Sequence, residues 1–281
     1  MWATSAVALL SQPSCNIINP EEPVPTYIRV DSFAFNQGTA VPGTASHKVT
    51  SVLANFDGKS LGIFVLPAVI PVIAEKPGQL ILLPGIDYNA LRGQQKYYPF
   101  FEGYTQTLNP SPGNTVAVPA TTTYFSGTRT AFQEDFEGGV GFNKLSGDTG
   151  LIRSNLPGTV YEGGYSGAIY LGNGNTTAQV ASQTPLNLTV GREAFIELNY
   201  KNTMPIQIGL LGVDAVTGAL GYGYIIALKP RTDWNKVYID LSAVVGLYQG
   251  GSYSVIIRAD LGDNQTSGEA FVDNFRVVTY N

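Results

Sequence analysis

The chain has one cysteine, Cys15, and one histidine, His47, in 281 residues. A single thiol cannot form an intrachain disulfide, so each folded unit must hold itself with a hydrophobic core or a metal. One imidazole and one thiol also fall short of a zinc ligand set. Serine–histidine–acid catalysis would have to use His47, in Ser46-His-Lys48, and no Gly-x-Ser-x-Gly elbow accompanies it. Charge is scarce too: 13% of residues are charged and the net charge is −5, which argues against electrostatic binding of nucleic acid, since that needs a basic footprint. Behind Cys15 no apolar run reaches the length that spans a bilayer. No cluster of acids near aromatics suggests a glycosidase pair. Gly172-Asn-Gly-Asn-Thr176 follows no strand-to-helix pattern, and reads as a hairpin turn rather than a phosphate loop. The chain is therefore read as non-enzymatic.

What the chain does have is 32 glycines, 17 prolines and 16 tyrosines, the profile of a secreted all-β protein. Residues 27–126 are expected to form a small β-sandwich of immunoglobulin or transthyretin type. Ile28 and Val30 alternate with polar neighbours, and Asp57-Gly58 supplies the positive φ of a tight hairpin. Residues 130–281 alternate over longer stretches. Ile196, Leu198 and Tyr200 form one set, Val237 and Ile239 another, and Val255, Ile257 and Ala259 a third, together indicating a jelly-roll sandwich. No amphipathic helix is expected.

At the N-terminus, an apolar stretch over residues 2–10 precedes Ser14 and Cys15, and Asn-Pro-Glu-Glu-Pro-Val-Pro25 follows. A short apolar run, a small residue, a cysteine and a proline-rich tether are how a bacterial lipoprotein begins. Residues 1–14 are read as a signal peptide, Cys15 as the lipidated residue and 15–26 as the tether. The segment lacks the usual leading positive charge, so the natural start is expected upstream.

Within the first unit, a long connection over residues 86–112 carries Tyr97, Tyr98, Phe100, Phe101 and Tyr104. Such a loop is either a folded-back plug or a docking surface. The docking reading makes these five aromatics the contact to a larger outer-membrane protein complex, because aromatics are enriched at interface hot spots. In the second unit, Glu134 shares the parity of Phe136, and Asp273 that of Phe271 and Phe275, so both carboxylates are expected to face the interior. With Asp135 they could hold a structural Ca²⁺; alternatively, they cap strand ends. A glycan platform would use Tyr222 and Tyr224 of Gly221-Tyr-Gly-Tyr224, together with Tyr165.

Glu134-Asp-Phe-Glu-Gly138, Tyr165-Ser-Gly-Ala-Ile-Tyr170, Trp234-Asn-Lys-Val-Tyr-Ile-Asp-Leu241 and Ala270-Phe-Val-Asp-Asn-Phe-Arg-Val277 resemble the carbohydrate-binding-module-like jelly rolls of secreted bacterial proteins. Taken whole, the chain resembles outer-membrane lipoproteins of Bacteroidota. That resemblance implies a lipid-anchored location on the outer membrane, with the cell surface favoured over the periplasmic leaflet. The favoured role is that of an accessory subunit docked on a larger outer-membrane assembly for secretion, uptake or barrel biogenesis; the alternative is a surface glycan-binding lipoprotein for polysaccharide capture.

Overall fold

Alternating apolar positions and turn glycines build strands almost throughout. The structure, a computed structural model, describes residues 22–214, 216–248 and 252–281, so Cys15 lies outside the described residues. In the first half, β1 (Thr26–Val30) lies between β5 (Ala68–Val72) and β9 (Thr115–Ala117), with β9 parallel to it. A two-residue pair, β2 (Ala34–Phe35) and β10 (Thr121–Thr122), continues that layer. The facing sheet runs β4 (Lys59–Val65), β3 (Ser51–Phe56), β6 (Gly78–Asp87) and β7 (Gln95–Tyr97), with β8 (Tyr104–Leu108) also paired to β6. Ile28, Val30, Ile70 and Val72 from one layer meet Val52, Ala54, Leu80 and Leu82 from the other. The β3–β4 hairpin turns at Asp57 and Gly58, whose φ angles of 46° and 76° are those the Asp-Gly signal requires.

The second half is a two-sheet sandwich. One sheet contains β13 (Ile152–Ser154), β14 (Ser166–Gly172), β21 (Ser267–Tyr280), β16 (Ala194–Asn202) and β19 (Arg231–Asp240), with β11 (Thr128–Glu134) also on β21. The other contains β12 (Phe142–Gly147), β15 (Thr177–Ser182), β20 (Tyr253–Asp260), β17 (Ile206–Val213) and β18 (Leu220–Leu228). Ile196, Leu198, Phe275 and Val277 pack against Val180, Ile208, Leu210, Val255 and Ile257 between them. Among the described residues the chain is thus all-β in two sandwiches, apart from the short helix α1 (Ser242–Leu247), which was not expected from the sequence because six residues show too little periodicity.

The aromatic connection corrects an expectation. β7 and β8 pair with different parts of β6, and the turn between them points at the second sandwich. Tyr98 and Phe100 are fully buried and Phe101 nearly so, in a cluster with Phe195, Tyr238 and Val278 on the outer face of the β21–β16–β19 sheet. These three are a plug between the halves and are not available to a second protein. Tyr97 remains 44% exposed, and Tyr104 packs on the first core.

The same interface encloses charge. Glu197 accepts hydrogen bonds from Tyr98 Oη at 2.6 Å, Tyr124 Oη at 2.7 Å and Arg276 Nε at 3.0 Å. Lys236 Nζ lies 3.4 Å from Glu197 Oε2 and makes no hydrogen bond among the described residues. One buried anion therefore serves two buried cations, and Arg276 holds it more closely.

Candidate functional site

With the outer face of one sheet of the second sandwich partly covered by the first half, the other sheet presents an open face. Its composition follows from a bulge. In β18, Ile226 pairs with Ile208, but Tyr224, two residues earlier, pairs with Gly209, so Ile225 is extra. Ile225 and Ile226 both pack on the core, and the inserted residue resets the alternation beyond them. Tyr222 and Tyr224 consequently point outward. Their glycine neighbours face the opposite way for a steric reason. A Cβ on Gly221 would stand 2.6 Å from the Tyr248 ring, and one on Gly223 would stand 2.5 Å from Val244 of α1. The Gly-Tyr-Gly-Tyr run thus lets α1 press on β18 from inside while both tyrosines reach the surface.

Across the sheet, Tyr224 is in register with Gly209, Ile256 and Ala181. Its phenol oxygen accepts a hydrogen bond from Gln179 Nε2 at 2.6 Å, although Gln179 stands on β15, three strands away. The ring therefore lies along the face and not upright. Ile256, on the face opposite the core set Val255 and Ile257, has no exposure, as expected beneath such a ring. Ser146 Oγ donates to Gln179 Oε1 at 2.5 Å. In the adjoining row, Arg258 pairs in register with both Gln179 and Gln207. Arg258 donates twice to Asp260, at 2.7 and 2.8 Å, which holds its pKa above the usual guanidinium value. Burial, only partly offset by Arg258 and Gln179, raises the Tyr224 pKa, so the phenol keeps its proton at neutral pH. Tyr222 is 50% exposed beside these groups.

Of the three tyrosines expected in a platform, the fold brings two together. Tyr165 precedes β14 in the other sheet, where the Arg153 guanidinium lies 3.7 Å from its ring centre. Gln179, Gln207, Arg258 and Asp260 were not singled out from the sequence. Their alternation was visible, but which face of which sheet stays open was not.

The carboxylates are arranged differently from the expectation. Glu134 ends β11 half-buried, accepting from the Phe136 amide at 2.7 Å and from the Gly141 amide. Burial, the largest influence, raises its pKa despite these donors. Asp273 does not face the interior. Asn274, with φ of 48°, is an extra residue in β21 opposite β16, so Ala270 and Val272 before it and Phe275 and Val277 after it are core, while Phe271 and Asp273 turn outward. Asp273 is nevertheless buried beneath the turn before β14, accepting from Ser166 Oγ at 2.5 Å and from the Tyr161, Glu162 and Asn274 amides. It lines a cleft of about 160 Å³ with Asp135, Glu137 and Glu162, apart from Glu134. Among the described residues no three acidic, histidine or cysteine side chains form a ready metal-ligand group. His47 is at the interface of the halves, stacked on Phe35 with ring centres 4.9 Å apart.

No protein-family model and no curated protein matches the chain. Among solved structures, TmCBM61 in complex with β-1,4-galactotriose is 14% identical, over 53% of this chain and 97% of that one, with a TM-score of 0.37. The CBM22-1 xylan-binding domain of Paenibacillus barcinonensis Xyn10C is 14% identical over 55% and 97%, with a TM-score of 0.40. A structure described under the promiscuous specificity of carbohydrate-binding modules from the β-sandwich superfamily is 14% identical over 92% and 99%, with a TM-score of 0.38.

Proposed function

We propose that the chain is a non-catalytic glycan-binding protein whose ligand lies on the open β12–β15–β20–β17–β18 face. The observation that carries this reading is the Tyr224 ring laid across the sheet, beside the half-exposed Tyr222 and the planar polar groups of Gln179 and Arg258. A flat aromatic ring offers a stacking surface to the C–H face of a sugar, and amide and guanidinium groups fork to its hydroxyls. This reading replaces the docking loop, whose central aromatics are buried. Tethering through Cys15 at the outer membrane is part of the proposal and rests on the N-terminal sequence alone.

Affinity gel electrophoresis against a panel of plant and microbial polysaccharides tests it. At least one polysaccharide should retard the full chain, and Tyr222→Ala with Tyr224→Ala should abolish the retardation, since each stacked aromatic contributes on the order of 1 kcal/mol or more. Retardation that survives the double substitution would sink the assignment of this face, and no retardation by any polysaccharide would sink the glycan reading.

We also propose a structural calcium ion for the acidic cleft. The support is chemical: Asp135 and Asp273 of the expected set line one small space, with Glu137 and Glu162 standing where Glu134 was expected, and hard oxygen donors suit Ca²⁺. Calcium should raise the melting temperature and EDTA lower it, because a ligand bound only by the native state stabilises that state. Asp135→Asn should remove the difference. A melt indifferent to both additions would leave Asp135, Glu137 and Asp273 as caps for backbone amides and Glu162 as the acceptor of the Thr44 and Asn274 side chains.

A further inference from the structure

A second concavity lies between the two halves, away from the open face. It is a cleft of about 510 Å³, walled on one side by Lys48, Thr50, Val65 and Arg92 and on the other by Tyr200, Arg231 and Lys236. Its charge is out of keeping with the molecule. The chain carries 16 basic and 21 acidic residues, yet four of the basic ones line this cleft and Asp87 is the sole acid among its lining.

Three of those cations also lack anionic partners. None of the ion pairs among the described residues engages Lys48, Arg92 or Arg231. Lys48 Nζ donates to the neutral Asn235 Oδ1 at 2.6 Å, which positions the ammonium without neutralising it. Burial lowers its pKa first, Asp87 opposes that, and the Arg231 and Arg92 charges lower it further, so both guanidinium charges are felt at the Lys48 ammonium. The fourth, Lys236, is the surplus cation of the Glu197 cluster: buried, 3.4 Å from Glu197 and without a hydrogen-bond acceptor among the described residues. Like charges held around a concave, partly apolar space carry a standing repulsion that a bound anion would relieve. The volume is within the range of sites for small organic ligands.

We infer that this interdomain cleft binds a small anionic ligand, its carboxylate or sulfate group held between Lys48, Arg92 and Arg231. Arg92 and Arg231 supply forked donors that match a planar or tetrahedral oxyanion. The ring of Tyr200 and the side chain of Val65 line the same space for the remainder of the molecule. The site shares no residue with the Tyr222–Tyr224 face, so it stands or falls separately from the glycan reading.

Titration calorimetry on the full chain tests it with three probes: digalacturonate, inorganic sulfate and neutral digalactose, at matched ionic strength. Digalacturonate should bind saturably and digalactose should not. Saturation by sulfate as well would mean that the oxyanion suffices, whereas binding of digalacturonate alone would mean that an acidic sugar is the source of the charge; both support the site. Arg92→Ala and Arg231→Ala, each at an exposed side chain, should each weaken digalacturonate binding about tenfold or more, the size expected for one lost charged hydrogen bond. Tyr222→Ala should leave it unchanged. Equal binding by wild type and both arginine variants, or no saturable heat from either anion, would overturn the inference.

Discussion

Replacing Glu197 with Ala is expected to destabilise the protein by about 3–5 kcal/mol, because it leaves Arg276 and Lys236 buried side by side with no anion. Two tyrosine hydroxyls, Tyr98 and Tyr124, lose their acceptor at the same time. Chemical denaturation followed by tryptophan fluorescence measures the loss, and a loss below about 1 kcal/mol would mean that the cluster holds nothing. Glu197→Gln keeps an acceptor for the tyrosines but removes the charge, and should fall between wild type and Glu197→Ala.

The pH dependence has a definite sign. Burial pushes the Glu197 carboxyl up, but the Arg276 and Lys236 charges, with the hydrogen bonds from Tyr98 and Tyr124, together outweigh it and hold the pKa below the usual value of 4.5. A group whose folded pKa is depressed contributes stability above its unfolded pKa and loses it as pH falls through the folded one. This part of the acid limb should therefore vanish in Glu197→Gln. Lys236 shifts in the sense opposite to that of a favourably paired lysine: burial lowers it from 10.5 to about 8, and Glu197 offsets this only in part. The two shifts are consistent once the anion is assigned chiefly to Arg276, which makes the shorter contact. Between about pH 8 and 10.5 the folded state then binds fewer protons at Lys236 than the unfolded chain, so its contribution to stability rises with pH over that window.

The second large effect is expected at Phe100. Its ring is fully buried, 5.9 Å from Phe195 and 4.8 Å from Tyr280 between ring centres, so it joins the turn before β8 to two strands of the second sandwich. Phe100→Ala opens a cavity in that interface and should cost about 3–5 kcal/mol. Because the lost contacts join the two halves, while each half keeps its own core, calorimetry should show the variant melting in two steps and wild type in one. A variant that melts as one transition at the wild-type temperature would show that the plug does not couple the halves.

Both predictions concern residues whose identity was plain in the sequence and whose role was not. The dense aromatics at 97–104 exceed what so small a first sandwich can enclose, and from that surplus alone an external partner is a fair deduction. The partner is the outer face of the β21–β16–β19 sheet in the same chain. Glu197 reads as an ordinary outward residue of an alternating strand, and so it is; outward there means into the interface. The carboxylate expectation failed at one inserted residue. Period-2 reasoning carried Asp273 to the side of Phe275, and the bulge at Asn274 reversed it. The bulge at Ile225 had the opposite effect on legibility, putting Tyr222 and Tyr224 on the surface where a platform needs them.

Local chemistry determined what the sequence could settle by itself. Alternating β-branched and aromatic residues with glycine and Asp-Gly turns require strands and tight hairpins, and one histidine with one cysteine leaves few ligands for a His/Cys metal set. Those properties depend on neighbours a few residues apart, which is why they survive without a structure. Only the tertiary structure decided which sheet face is covered by the first half, which stays open to a ligand, and that Lys48, Arg92 and Arg231 converge on one cleft. These are matters of strand order, bulges and packing between residues more than a hundred positions apart, and the burial that selects among them is a property of the whole fold.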